Sequence, residues 1–223
     1  MPKLKPETHT ARRDHILDAA ERCFAEAGFH RSTMNDICRR ASVSPGALYV
    51  YFDSKEALIA GLAERDRAEF AEQLSLVERA PDVLAAFSAM GDFYLNPDRT
   101  YKCRLGVEIG LEATRNPKIG EIFWRFDREV RQSLERLFQR LSDEGRIAPA
   151  LAIDAVTSAF MVIADGIFWR HTVHPHAFTA EAAMPVALEL IRQLLNPAQP
   201  LMPAAGRNPD QADSTFPLVG DRK

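Results

Sequence analysis

The chain is poor in the groups that cross-linking, membrane insertion or catalysis would require. Its three cysteines, Cys23, Cys38 and Cys103, are an odd count with no Cys-x-x-Cys spacing among 223 residues. That excludes a disulfide framework and predicts a reduced, cytoplasmic setting. No stretch approaches the ~18 uncharged apolar residues of a membrane span. The most apolar run, 155–164, is closed at both ends by Asp154 and Asp165. The opening MPKLKPETHTARRD lacks the apolar core of a secretory leader, so none is expected. A Gly-rich phosphate loop, Gly-x-Ser-x-Gly and His-Glu-x-x-His are all missing. No catalytic residue, metal ligand set or cofactor is therefore predicted, and an enzyme on a helical bundle is disfavoured. His171, His174 and His176 cluster, but no cysteine or carboxylate stands at ligand spacing and Pro175 interrupts them. Strand-type alternation is also missing over any useful length.

What is present is helical periodicity. Ile16, Ala19, Ala20, Cys23, Phe24 and Ala27 form one apolar stripe on a helix over about 10–27, stopped by Gly28. Thr33, three residues before Asp36, opens a short helix that ends near Ala41. Ser44 as N-cap with Pro45 at the first helical position restarts the chain for a second short helix, ending near Phe52. The cluster Asp53-Ser54-Lys55-Glu56 then caps a long helix to about Arg79. Pro81, Asn96-Pro97, Asn116-Pro117, Gly145 and Pro149 punctuate the remainder. They predict helices near 82–95, 98–115, 117–144, 152–173 and 180–195, an all-α protein. Pro185 falls inside or at the first turn of the last helix. Residues 196–223 hold five prolines and only a small apolar patch at 216–219, the pattern of a flexible tail.

Helix, short helix, three-residue turn and short helix make helix-turn-helix geometry. Val43 can plug the corner, and Leu48 and Phe52 can anchor the second short helix inward. Pro45, Gly46, Ala47, Tyr49, Val50 and Tyr51 are left on outer or lateral faces, where the tyrosines suit phosphate and thymine-methyl contacts. Net charge is −3, which taken whole argues against a nucleic-acid partner. Residues 1–55, however, carry nine Lys/Arg against seven Asp/Glu, which permits a basic face there.

The string TMNDICRRASVSPGALYVYFDSKEAL, residues 33–58, resembles the DNA-binding domain of tetracycline-repressor (TetR) family regulators in both spacing and residue type. The resemblance covers about residues 10–60. It implies that Thr33 caps the second helix and touches a phosphate. It puts Pro45, Gly46 and Ala47 at the tip of the recognition helix and Tyr49 and Tyr51 on backbone or base edges, with Lys55 paired to a phosphate. Two positions depart from the family pattern: Ser42 stands where glycine is usual, at a left-handed position, and Cys38 replaces alanine. The tip is poor in long polar side chains, so readout leans on Tyr49, with Asn35, His30 or Arg31 and DNA shape as further sources. Arg12 and Arg13 are either a solvated face or DNA contacts.

Residues 82–175 are rich in aromatics, which are either core or the lining of a cavity for an apolar or aromatic ligand. The family resemblance favours the cavity, with Phe93, Tyr101, Phe123, Phe126, Phe168 and Trp169 as lining and Asp165 as a polar anchor. Ile153, Val156, Phe160, Ile163 and Ile167 on one helix and Val186, Leu190 and Leu194 on the next suit a four-helix dimer interface.

The expectation is a cytoplasmic, homodimeric, ligand-responsive transcriptional regulator without a membrane partner. In this family such a protein is most often a repressor, here released from a palindromic double-stranded DNA operator by a small-molecule effector. The expected domains are 1–55 (helix-turn-helix), 56–195 (ligand binding and dimerisation) and the tail 196–223. The competing reading is a nucleoid-associated or cytoskeletal interaction protein on the same fold.

Overall fold

The computed structural model describes residues 6–198, with side chains from residue 9 onward. Among the described residues it is all-α. The order is α1 (Pro6–Ala27), α2 (Met34–Arg40), α3 (Pro45–Tyr49), α4 (Lys55–Arg79), α5 (Val83–Tyr94), a 3-10 turn (Pro97–Arg99), α6 (Thr100–Ala113), α7 (Pro117–Asp143), α8 (Ile153–Val173) and α9 (Ala180–Leu195).

Local chemistry sets most of these boundaries. Ser54, Asp82 and Thr179 each accept a hydrogen bond from the backbone N–H three residues on, capping α4, α5 and α9. Asn116 caps α7, with Pro117 at its first position. Gly28 and Gly145 take positive φ (+85° and +69°) just past α1 and α7, conformations that cost a residue with a Cβ. Pro185 lies inside α9. It has no N–H, so the Glu181 carbonyl loses its helical donor. The helix expected over 98–115 divides instead into the 3-10 turn and α6, because Asn96 Oδ1 accepts the Asp98 N–H at 2.9 Å and tightens the first turn. The second short helix ends at Tyr49, with turns carrying the chain to Phe52.

Two cores hold the helices. The first joins Ile16, Phe24, Ile37, Leu48 and Phe52 to Leu58, Ile59 and Leu62 of α4, and also to Leu105, Ile109 and Ile119 of α6 and α7. The expected boundary at residue 55 is therefore not a break in packing. The small N-terminal helices sit on the ends of α4, α6 and α7. The second core gathers α4's far end with α5, α7, α8 and α9. At its centre Phe87, Phe138 and Phe160 meet with ring centroids 5.1–6.2 Å apart.

Of the expected tail, residues 196–198 are described, and they are paired. Ala148 donates to the Asn196 carbonyl and Ala198 donates to the Arg146 carbonyl, at 3.0 and 2.9 Å. The expectation for 199–223 lies outside the described residues.

Candidate nucleic-acid interface

α2 and α3 are built almost entirely from near-neighbour bonds. The Thr33 hydroxyl accepts the Asp36 N–H at 3.1 Å and donates to Asp36 Oδ2 at 2.6 Å, while the same carboxylate oxygen accepts the Thr33 N–H. This capping box holds the Asp36 carboxyl below the usual aspartate range, through the Thr33 hydroxyl first and the Thr33 backbone second. Ala41, Ser42 and Val43 turn the chain, with Ser42 at φ +50°. Ser44 then accepts the Ala47 N–H. Leu48 is wholly buried, which fixes the rotation of α3 and leaves Pro45 and Gly46 exposed. Tyr49 is 53% exposed and Val50, just after the helix, 74%.

The expected contact residues differ in how free they are. Among the described residues, Tyr49 has no side-chain partner that limits it. Tyr51 is half-buried, its ring 4.5 Å from that of His9. Thr33 is exposed, but its hydroxyl is engaged in the capping box. Lys55 is anchored rather than extended. Its Nζ donates to the Phe29 carbonyl at 2.6 Å and lies 4.3 Å from the centre of the Phe29 ring. Arg13 lies over Phe52 and pairs with Glu64, so it is part of the scaffold. Arg12 is exposed.

Sequence reasoning missed what holds this head to the rest of the protein. From α6, Glu108 Oε1 accepts the Phe29 N–H at 2.6 Å, and the buried Glu112 pairs with His30 at 2.7 Å. A Cβ at Gly28 would lie 2.6 Å from Glu108 Oε1, so the glycine is needed for this approach as well as for its φ. Beside this clamp, the buried Glu21 of α1 meets Arg65 at 2.7 Å and Lys102 at 3.7 Å. Burial pushes the Glu21 carboxyl up against the pull of those two cations. The only sequence signal was a pair of glutamates four apart on α6, which reads equally as a solvated face.

The expected effector residues divide among four places. Phe93 and Phe168 converge through Tyr94, whose ring lies 5.1 Å from the first and 6.0 Å from the second. Tyr101 turns to the reading head, with the Arg22 guanidinium 3.7 Å over its ring, and Phe123 packs against Gly110 and the first core. Phe126 is half-buried on α7. Trp169 is 54% exposed on the outer side of α8. Asp165, one turn before Trp169, has its carboxyl raised by desolvation and by the nearby Asp127. The expected dimer face also needs correction. Val156 and Phe160 are buried in the second core, while Val162, Trp169, Val173, Val186 and Leu190 are the exposed large apolar residues of α8 and α9. Aromatic residues at helical spacing fix a face of a helix but not which neighbour that face meets. The histidines part company as well: the His171 ring nitrogens are buried, and His174 and His176 are exposed.

Residues 16–62 match the family model for bacterial regulatory proteins of the tetR family, and residues 84–196 match that for the C-terminal part of BetI-type transcriptional repressors. The chain belongs to the tetR family. This TetR-family chain is a DNA-binding transcriptional regulator. It is 29% identical over 154 residues to the HTH-type transcriptional regulator UidR of Escherichia coli K12, a match spanning 67% of this chain and 76% of that protein. Salmonella enterica GusR has the same fold at TM-score 0.71 and 25% identity, covering 83% of this chain and 96% of that one. SmeT, solved as a triclosan complex, shares the fold at TM-score 0.69 and 22% identity, covering 82% and 90%. Among the described residues of the TetR-family chain, no helix is long and apolar enough to cross a membrane.

Proposed function

We propose that the chain is a homodimeric repressor that binds a palindromic operator in the cytoplasm and releases it when a small ring-bearing effector occupies the second domain. The observation that carries the DNA reading is the posture of α3. One side is locked by the buried Leu48, and the other holds out Tyr49 and Val50, both exposed and without a side-chain partner among the described residues. A hydroxyl-bearing ring beside a bare apolar side chain suits phosphate and thymine-methyl contact at once. Two such heads, joined by a twofold axis, would read half-sites ~34–36 Å apart. The reading head extends to residue 55, and residues 56–195 form the effector and dimer domain.

The exposed apolar side chains of α8 and α9, Val162 and Trp169 with Val186 and Leu190, support dimerisation. These helices pack on each other, so the four side chains are the material of a self-complementary patch. SmeT carries triclosan on the same fold, which supports a small-molecule effector here.

The decisive measurement is a salt-titrated gel shift on a duplex selected from a randomised pool by the full-length chain. Tyr49→Ala should weaken binding by about 1–3 kcal/mol. Undiminished binding by that variant would refute the placement of α3 on DNA.

A further inference from the structure

The second domain contains four buried polar atoms with no hydrogen-bond partner among the described residues: Tyr94 Oη, Arg99 Nε and both ring nitrogens of His171. Buried polar atoms are almost always paired, so these orphans call for an explanation. Arg99 lies beside Tyr94, and His171 follows Phe168, whose ring meets that of Tyr94. Tyr94 ends α5, Arg99 ends the 3-10 turn, and His171 lies near the end of α8, one turn beyond Phe168. The Tyr94 and Phe168 rings are 6.0 Å apart. The Arg99 guanidinium sits 4.1 Å from the Phe93 centroid and 5.9 Å from that of Tyr94.

The chemistry of the orphans narrows what would complete them. Arg99 Nε can only donate. A phenol can donate and accept, and a neutral imidazole does one at each nitrogen. A hydroxyl group on the ligand can meet one atom of each residue, since it accepts twice and donates once. A carboxylate is less suited, because Arg99 is already neutralised by its ion pair with Glu69. Beside them lie rings set edge to face, Phe93 to Tyr94 at 82° and Tyr94 to Phe168 at 68°, an aromatic surface that suits a flat aromatic guest.

We propose that Tyr94, Arg99 and His171 form the polar end of the effector site, and that its ligand is a neutral hydroxylated aromatic molecule. This rests on the effector reading above and names the site and the ligand class. It also gives the site a route to the DNA head. Glu69, the partner of Arg99, lies 3.5 Å from Lys102, and Lys102 lies 3.7 Å from Glu21 of α1. Glu21 meets Arg65, which also bonds Asp18 of α1 at 2.6 Å. A guest that takes up Arg99 shifts the balance of a charge chain ending on the first helix of the head.

The test uses 2-naphthol and 2-methylnaphthalene, which match in shape and differ in hydroxyl against methyl, titrated calorimetrically into the full-length chain. The wild type should prefer 2-naphthol by about tenfold or more. Tyr94→Phe and His171→Leu should each abolish that preference while the unliganded melting temperature stays level or rises, because each removes an unpaired polar group. Equal binding of the two compounds, binding of neither, or a preference retained in either variant overturns the assignment. So does a marked fall in melting temperature for Tyr94→Phe, which would mean its hydroxyl has a structural partner. Release of the selected duplex is read separately. Preferential binding of 2-naphthol without DNA release upholds the site and defeats the effector reading. Release by 2-methylnaphthalene as readily as by 2-naphthol upholds the effector reading and defeats the site. Glu69→Gln should keep the hydroxyl preference and weaken the coupling to DNA. Coupling at the wild-type level in that variant would overturn the charge route.

Discussion

Ser42 offers the most direct check of the reading head. It stands between α2 and α3 at φ +50°, exposed, with its N–H on the Arg39 carbonyl at 3.3 Å. A left-handed backbone costs a residue with a Cβ about 1–2 kcal/mol. Glycine avoids that cost but gives the unfolded chain more freedom, which returns about 0.4–1 kcal/mol. Ser42→Gly should therefore stabilise the protein by about 0.5–1 kcal/mol. For a chain of this length, that corresponds to a rise in melting temperature of about 1–4 °C. Ser42→Val should move the other way, since a branched Cβ tolerates this backbone least. Thermal melts and urea titrations of the three proteins at fixed concentration decide the matter. DNA affinity should not change with Ser42→Gly, because the turn already has the geometry that glycine would adopt. A glycine variant no more stable than wild type, or a valine variant equal to it, would refute the strain argument.

Phe160→Ala should cost about 3–5 kcal/mol, because it opens a cavity beside Phe87 and Phe138; a loss below about 1 kcal/mol in urea unfolding would contradict its place in the core. Val162→Asp should leave the fold intact and split the dimer, since Val162 is 71% exposed; light scattering that still finds a dimer at micromolar concentration would remove α8 from the interface. Acid should undo the cap of α2. The folded-state carboxyl of Asp36 titrates below its unfolded value, so its contribution is full above the usual aspartate range and is lost as pH falls through the lowered one. Asp36→Asn should flatten that limb of the stability profile between about pH 5 and 2, and an unchanged profile would argue against the capping box.

Most ends of the helices were legible in the sequence, and so was the helix-turn-helix. Helix α4 begins at Lys55 because Ser54 caps it, α9 begins at Ala180 because Thr179 does, and α1 stops where Gly28 can take positive φ. Each of these signals acts across three or four residues, so neighbours in the chain are enough to write it. The turn at Ser42 and the capping box at Thr33 belong to the same class, as does the burial of Leu48, whose spacing from Phe52 already set one face of α3 inward.

Only the tertiary structure decided which neighbour each face would meet. Phe160 and Val162 are two residues apart on α8, yet one is in the core and the other faces outward. Composition alone treats both as interface material. Tyr101 and Phe123 turn toward the head because α6 packs against both α1 and α7. The clamp between head and bundle joins Phe29 to Glu108 and His30 to Glu112, pairs 79 and 82 residues apart. Tyr94 and Arg99, from two separate elements, meet only in the packed bundle. Helical periodicity specifies rotation about one axis. Contacts of this kind depend on where that axis lies relative to the others, and only the packed bundle fixes that.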